Sequence, residues 1–128
     1  MRLLLDTHAF IWWLAGNERM SRPARAAVDA AAQGVLVSAA TAWEIATKHR
    51  LGKLPSVDAI ADDLAGAIRR HGFEELPVTV QHGERAGWLP GQHRDPFDRM
   101  LIAQAQVEDL AIVSNEALFD RFGLRRVW

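Results

Sequence analysis

The sequence predicts an α/β fold in three layers, α/β/α, in which helices cover both faces of a short, mostly parallel central sheet. Short apolar segments that suit buried strands alternate with segments of helical periodicity along all 128 residues. Turn and cap residues separate these segments, and no repeat, linker or low-complexity stretch interrupts them. Because this length suits one core, residues 1–128 are expected to form a single domain.

Cap and turn residues set the element boundaries in the first part of the chain. Ser21 is typical of a helix N-cap, Pro23 lies just behind it, and Gly34 ends the Ala-rich helix that they open. Thr41 or Ser38 is expected to cap the third helix. The elements expected here are a strand over residues 1–5, helices over 7–15 and 22–33, a strand over 35–38 and a helix that ends near residue 51.

In the second part, a helix is expected to begin at Pro55 and end near residue 71, because apolar residues recur at helical spacing at positions 57, 60, 64 and 68. Turn residues make 88–94 a loop, and Asp95 with Pro96 then opens a strong helix to about Glu108. The remaining elements are a strand over 73–77, a weaker helix over 79–87, a strand over 111–113, a short helix and an edge strand over 124–128.

The composition restricts the chemistry of the chain. It contains no Cys, which excludes a disulfide scaffold and a thiolate metal site, so any metal must bind oxygen or imidazole ligands. The 15 basic and 16 acidic residues nearly balance, which argues against a passive nucleic-acid coat protein. No apolar segment is long enough to span a membrane, and Asp6 interrupts the first one too early for a signal peptide. We expect a cytoplasmic protein that does not bind membranes.

Acidic residues lie beside the predicted strand ends and helix starts. The carboxyl ends of parallel strands meet at one edge of a sheet, where α/β proteins bind ligands. Carboxylates packed together raise one another's pKa, and a divalent cation removes that cost. The pattern predicts a metal-dependent hydrolase of phosphodiesters, because a bound ion activates water and stabilises charge on the phosphate. The acids concerned are Asp6, Glu44, Asp95, Asp98 and Glu116.

Structural interpretations of the same acids stay open at this point. Asp6 and Asp95 suit helix N-caps, Glu44 suits a capping box with Thr41, and the other two suit first helical turns. If all five only cap helices, the protein is a non-catalytic binding module. A phosphatase with an aspartyl nucleophile is another alternative, although the second acid that is usual in such enzymes would fall at His8.

Four segments together resemble the PIN-domain family, and in particular the VapC toxins of bacterial toxin–antitoxin pairs. They occur in the order of that family and extend over essentially the whole chain. The third is the most specific. The segments are LLLDTH at 3–8, SAATAWEI at 38–45, HRDPFDRMLIAQA at 93–105 and IVSNE at 112–116. The resemblance implies a PIN-like fold and an endoribonuclease that depends on Mg²⁺ or Mn²⁺.

The resemblance also implies roles for the acids. Asp6, Glu44 and Asp98 match the core acids, and Asp95 matches an additional acid that is common in this branch, so these four are the expected metal ligands. Glu116 lies where the family usually has Asp. The extra methylene of Glu116 favours a role beside the ligands, although we count it with the catalytic residues.

Polar residues next to the acids are candidates for binding the RNA substrate, with helix-start and loop solvation as the alternative for each. The candidates are Thr7, His8, His93, Arg94, Arg99, Ser114 and Asn115. A basic rim could add to the RNA surface, although a solvated face is the better interpretation of its members, which are Arg22, Arg25, Lys48, Arg50 and Lys53.

A dense apolar run over residues 10–14 exceeds what one helix face can bury. Part of it is therefore expected to contact a partner, and the resemblance implies two: a second copy in a homodimer and a VapB-like antitoxin. The alternative is a helix buried on most sides. We expect Trp43, Trp88 and Trp128 to lie in the core or at a dimer contact.

Overall fold

The sheet has five strands, and every strand pair in it is parallel. The computed structural model describes residues 1–31 and 34–128. The strand order is β3-β2-β1-β4-β5, so the first strand in the chain lies at the centre. Leu3 pairs with Val35 on one side and with Ala111 on the other. The strands are β1 (Leu3–Leu5), β2 (Val35–Ser38), β3 (Glu74–Leu76), β4 (Ala111–Val113) and β5 (Arg126–Val127).

Helices cover both faces of this sheet, which confirms the predicted layers. Alternate residues of β1 point to opposite faces, so Leu3 and Leu5 pack in one apolar cluster with Phe10, while Leu4 packs in a second with Ile102. The helices are α1 (Thr7–Ala15), α2 (Arg22–Ala30), α3 (Ala39–Arg50), α4 (Leu64–Arg70), α5 (Val80–Trp88) and α6 (Pro96–Glu108), with 3₁₀ turns at Pro55–Val57 and Ala117–Phe122. Within the described residues, no helix is both long and apolar enough to cross a membrane.

Short polar side chains begin the helices that carry the candidate site. Ser38 caps α3, because its Oγ accepts a 3.0 Å hydrogen bond from the Ala40 N–H. The capping box of Thr41 with Glu44 is therefore wrong. The predicted cap at Ser21 is confirmed, since its Oγ accepts from the Ala24 N–H. Helix α2 ends at Ala30, and residues 32 and 33, to which the predicted helix extended, lie outside the described residues.

The continuous helix predicted from Pro55 to residue 71 is wrong. A single 3₁₀ turn covers Pro55–Val57, and α4 begins only at Leu64. The break has a local cause: Asp63 has a non-helical backbone, and its Oδ1 accepts a 2.9 Å hydrogen bond from the Gly66 N–H, which starts a new helix. Val57 and Leu64 are still buried, so the apolar spacing reports burial here and not one helix.

Two of the three tryptophans predicted for the core or a dimer contact lie at the surface of the chain. Trp43 is 65% exposed and Trp88 is 84% exposed, so their core interpretation is wrong. Trp43 lies edge-to-face against Phe97, with 5.0 Å between the ring centroids. Trp128 is half-buried and packs on Trp12. This leaves the dimer interpretation of Trp43 and Trp88 as a prediction.

Candidate functional site

Asp6 lies directly after the central strand, and its side chain is almost completely buried. Its Oδ1 accepts a 2.8 Å hydrogen bond from the Ala9 N–H, so the capping interpretation holds. Burial raises the pKa of Asp6 to about 6, while hydrogen bonds from Ser114 and Ala9 act in the opposite direction. Asp6 therefore caps α1 and is also a strongly perturbed acid, which is typical of a functional site.

Glu44 is also buried, and both of its carboxylate oxygens have partners. The Thr7 hydroxyl donates a 2.5 Å hydrogen bond to Oε1. The Lys48 ammonium donates to Oε2 at 2.5 Å from the next turn of α3. Thr7 Oγ1 also lies 3.4 Å from Thr41 Oγ1, so these contacts connect α1 to α3. The carboxylate of Glu44 faces the residues that follow β1.

Asp95 and Asp98 lie at the start of α6. Asp95 Oδ1 accepts hydrogen bonds from the backbone N–H groups of Phe97 and Asp98, so Asp95 is the N-cap. His93 Nε2 lies 2.9 Å from Asp98 Oδ2. Burial raises the pKa of Asp98, the hydrogen bond with His93 opposes this, and the charges of Asp95 and Glu116 raise it further. The charges of Asp95 and Glu116 thus act on the carboxyl of Asp98.

The residues after β4 contribute one buried hydroxyl and two exposed side chains. Ser114 is fully buried, and its Oγ accepts a 2.9 Å hydrogen bond from the Glu116 N–H. Asn115 and Glu116 are exposed. The charge of Glu116 acts on Asp98, so Glu116 lies at the open side of the cluster.

The other predicted substrate residues differ in their surroundings. His8 is exposed and stacks on Trp12, with 5.4 Å between the ring centroids, and Arg94 is exposed in the loop before α6. The Arg99 guanidinium donates to backbone carbonyls of α5 and the following loop instead. The acceptors are Ala86, Gly87, Leu89 and His93. Arg99 thus joins α6 to the segment before it.

Two residues at the site were missed as contributors to it. Lys48 was assigned only to a basic rim, yet its position four residues after Glu44 could have indicated the ion pair. Gln104 is fully buried on α6, where its Oε1 accepts a 2.5 Å hydrogen bond from the Ser38 hydroxyl and its Nε2 donates to the Pro77 carbonyl. Gln104 therefore fixes α6 against the carboxyl ends of β2 and β3.

The donor set suits a hard divalent cation, because carboxylate oxygens dominate it and the chain has no Cys. The raised pKa values of Asp6 and Asp98 indicate negative charge that a cation would stabilise. Within residues 1–31 and 34–128, however, no three acidic or histidine side chains form a ready ligand group. The chemistry of the site therefore fits a metal ion, and its ligand geometry is not preassembled.

Comparison with curated proteins gives one relative along part of the chain. Ribonuclease VapC16 of Mycobacterium tuberculosis (strain ATCC 25618 / H37Rv) is 42% identical over 62 residues. That alignment covers 48% of this chain and 43% of the relative, so it extends over less than half the length of the curated protein.

Solved structures resemble this chain over nearly its whole length, and at their low identity the likeness concerns the fold. VapBC2 from Rickettsia felis bound to a promoter DNA fragment has a TM-score of 0.71 and 16% identity, with 98% of this chain and 97% of that chain covered. DNA-bound VapBC from Salmonella typhimurium has a TM-score of 0.69 and 18% identity, with 98% and 96% covered. FitAcB from Neisseria gonorrhoeae has a TM-score of 0.66 and 19% identity, with 97% and 95% covered.

The comparison with protein-family models gives a match over nearly the whole chain. The model of the PIN domain matches residues 3–124, which include all five strand-end and helix-start acids. With nearly the whole chain matched, the protein belongs to the PIN-domain family.

Proposed function

We propose that the protein is a metal-dependent endoribonuclease that hydrolyses RNA phosphodiesters and acts as the toxin of a VapBC-type toxin–antitoxin pair. The observation that supports the proposal most is the position of Asp6 directly after β1, where the charge of Asp98 acts on it, in a chain of the PIN family. Glu44 is linked to the same acids through Lys48, on which the charges of Glu44, Asp95 and Asp98 all act. The partial match to a curated ribonuclease supports the same activity.

Asp6, Glu44, Asp95 and Asp98 are the proposed ligands of Mg²⁺ or Mn²⁺. When bound, such an ion would stabilise charge on the scissile phosphate and would lower the pKa of a water molecule, so that hydroxide is available as the nucleophile near neutral pH. Glu116 is exposed beside Asp98, which favours a role next to the ligands, near incoming substrate or water.

The neighbouring side chains orient the proposed ligands. The Ala9 N–H holds Asp6 Oδ1 through a 2.8 Å hydrogen bond, and the Ser114 side chain lowers the pKa of the same carboxyl against the effect of burial. The Thr7 hydroxyl holds Glu44 Oε1, and His93 holds Asp98 Oδ2. Three residues that we first considered as substrate contacts, Thr7, His93 and Ser114, therefore act on the acids. His8, Arg94 and Asn115 keep the proposed role of binding RNA, because their side chains are exposed near the site.

Replacement of Asp6 by Asn tests the activity. Asn can still cap α1 through its side-chain oxygen, so D6N should fold and yet lose most cleavage of RNA in Mg²⁺. The matched control is D29N on α2, outside the site, which should cleave like the wild type. Cleaved ends should be mapped on mixed cellular RNA with Mg²⁺ and with a chelator. Undiminished Mg²⁺-dependent cleavage by D6N would refute the assignment.

The alternatives give different results in the same preparation. A phosphatase with an aspartyl nucleophile would form a trappable phosphoaspartate at Asp6. A non-catalytic module would fold identically with and without chelator and would bind no cation. His8 argues against the phosphatase, because the side chain at the usual second-acid position is an exposed imidazole stacked on Trp12.

We propose a homodimer and a VapB-like antitoxin as protein partners, and residues 1–128 as a single domain. The solved VapBC and FitAcB structures of similar fold support a toxin–antitoxin assembly. The exposed indoles of Trp43 and Trp88 support a protein contact, since buried aromatic anchors dominate interfaces. Light scattering tests the dimer: W88S should lower the molar mass of a dimeric wild type toward that of one chain.

A further inference from the structure

The contact between Lys48 and Glu44 affects the same carboxylate that we propose as a metal ligand. Lys48 Nζ lies 2.5 Å from Glu44 Oε2, and the Thr7 hydroxyl lies 2.5 Å from Oε1. The Lys48 side chain is 37% exposed, whereas that of Glu44 is 8% exposed. Each carboxylate oxygen of Glu44 therefore already has a partner, while the ammonium can leave toward solvent without a large desolvation cost.

The surroundings of Lys48 place it inside the acidic cluster. Its hydrogen bond with Glu44 raises the pKa of the ammonium, and the charges of Asp95 and Asp98 raise it further. One ammonium thus lies in the field of three carboxylates, which would otherwise repel one another.

We propose that Lys48 is a built-in counter-cation that occupies Glu44 in the metal-free protein and that an incoming divalent ion must displace. The inference rests on the proposed function, because it takes Glu44 as a ligand. Lys48 stabilises the buried carboxylate when no ion is present and weakens the affinity for the ion, because the two cations compete for Oε2. Lys48 is thus a residue that sets metal affinity.

Neutral substitution of Lys48 separates this competition from a general charge effect. K48Q removes the charge but keeps a donor that can reach Glu44, so the fold should be retained. K53Q is the matched control, since Lys53 is the other lysine of the chain and is exposed beyond the end of α3. K48R keeps the charge and should bind the ion like the wild type.

Calorimetric titration with Mn²⁺ alone is the decisive measurement. K48Q should bind Mn²⁺ roughly threefold to tenfold more tightly than K53Q, the effect expected when an ion pair with one buried partner no longer competes. In chelator, the melting temperature of K48Q should fall below that of K53Q, and saturating Mn²⁺ should close this gap, because the ion replaces the missing charge.

The outcomes distinguish the two proposals. If the wild type binds no Mn²⁺, the proposed metal-dependent function fails. If the wild type binds Mn²⁺ but K48Q binds it no more tightly than K53Q, only the role of Lys48 fails. A K48Q protein that stays unfolded in saturating Mn²⁺ would make Lys48 a purely structural residue and would also overturn this inference.

Discussion

The hydroxyl of Thr7 donates a 2.5 Å hydrogen bond to Oε1 of Glu44, which joins the first turn of α1 to α3. This contact connects the residue after Asp6 to the carboxylate that follows β2. Because hydrogen bonds to charged groups contribute more than neutral ones, the contact supports both stability and the position of the acid.

Replacement of Thr7 by Val removes the donor and keeps the shape of the side chain. T7V should lower the free energy of unfolding by about 1–3 kcal/mol, because a buried carboxylate loses a partner. Urea denaturation measures this, and T47V on α3 is the control, with an expected change within about 0.5 kcal/mol. The combination of T7V with E44Q should be less than additive, and full additivity would contradict the pairing.

Asp6 should make the metal-free protein less stable as the pH rises. Its folded pKa, about 6, lies above the ordinary value of 3.8, so protonation favours the folded state. This contribution to the free energy of unfolding is complete below pH 3.8 and is lost as the pH rises past 6. D6N should therefore be more stable than the wild type by about 3 kcal/mol at pH 7–8 in chelator, with no such gain near pH 3.5.

A control with the opposite sign exists at the other end of the chain. Arg126 lowers the pKa of Asp120, so ionised Asp120 favours the folded state above its ordinary pKa. D120N should therefore not be more stable than the wild type at pH 7–8. If urea denaturation gives D6N and D120N the same pH dependence, burial does not perturb Asp6 as described.

His93 should set the acid limb of the pH profile for RNA cleavage. Its hydrogen bond lowers the pKa of Asp98 against the larger effect of burial. H93A removes this bond, so Asp98 should ionise at higher pH and cleavage should decline at a higher pH than in the wild type. Cleavage rates measured from pH 5 to 8 test this. The control is H71A, because His71 is an exposed residue at the end of α4.

Arg99 should matter for stability and not for substrate affinity. Its guanidinium donates to four backbone carbonyls, and the ammonium of a lysine cannot reproduce that fork. R99K should lower the free energy of unfolding by about 2–3 kcal/mol. The KM for RNA of the folded variant should stay unchanged, and an increase in KM without a loss of stability would restore the original interpretation of Arg99 as an RNA contact.

The sequence was sufficient for features that depend on local chemistry. An apolar strand that ends at Asp6, and the Asp95–Pro96 start of α6, lie where the pattern predicted. Features that depend on competition between neighbours were not predictable. The apolar spacing from Val57 to Ile68 suits one continuous helix, but Asp63 acts as an N-cap within this segment, so that α4 begins only at Leu64.

The same limit applies inside the site. Glu44 and Lys48 have a helical spacing, but the sequence cannot say that both face the acids and not solvent. Gln104 interrupts an apolar helix face, and only the fold brings it to the Ser38 hydroxyl. Pairwise side-chain contacts over long separations, such as this one, decide how the ligands are oriented.

The central position of β1 has a consequence for biosynthesis. Leu3–Leu5 is synthesised long before its second neighbour in the sheet, Ala111–Val113. A nascent chain that lacks this segment has an unpaired central strand and no Ser114 beside Asp6. Parallel pairing between such distant segments forms slowly. The carboxylates can therefore assemble only after β4 has been made, so a nascent chain that stops before Ala111 lacks part of the site.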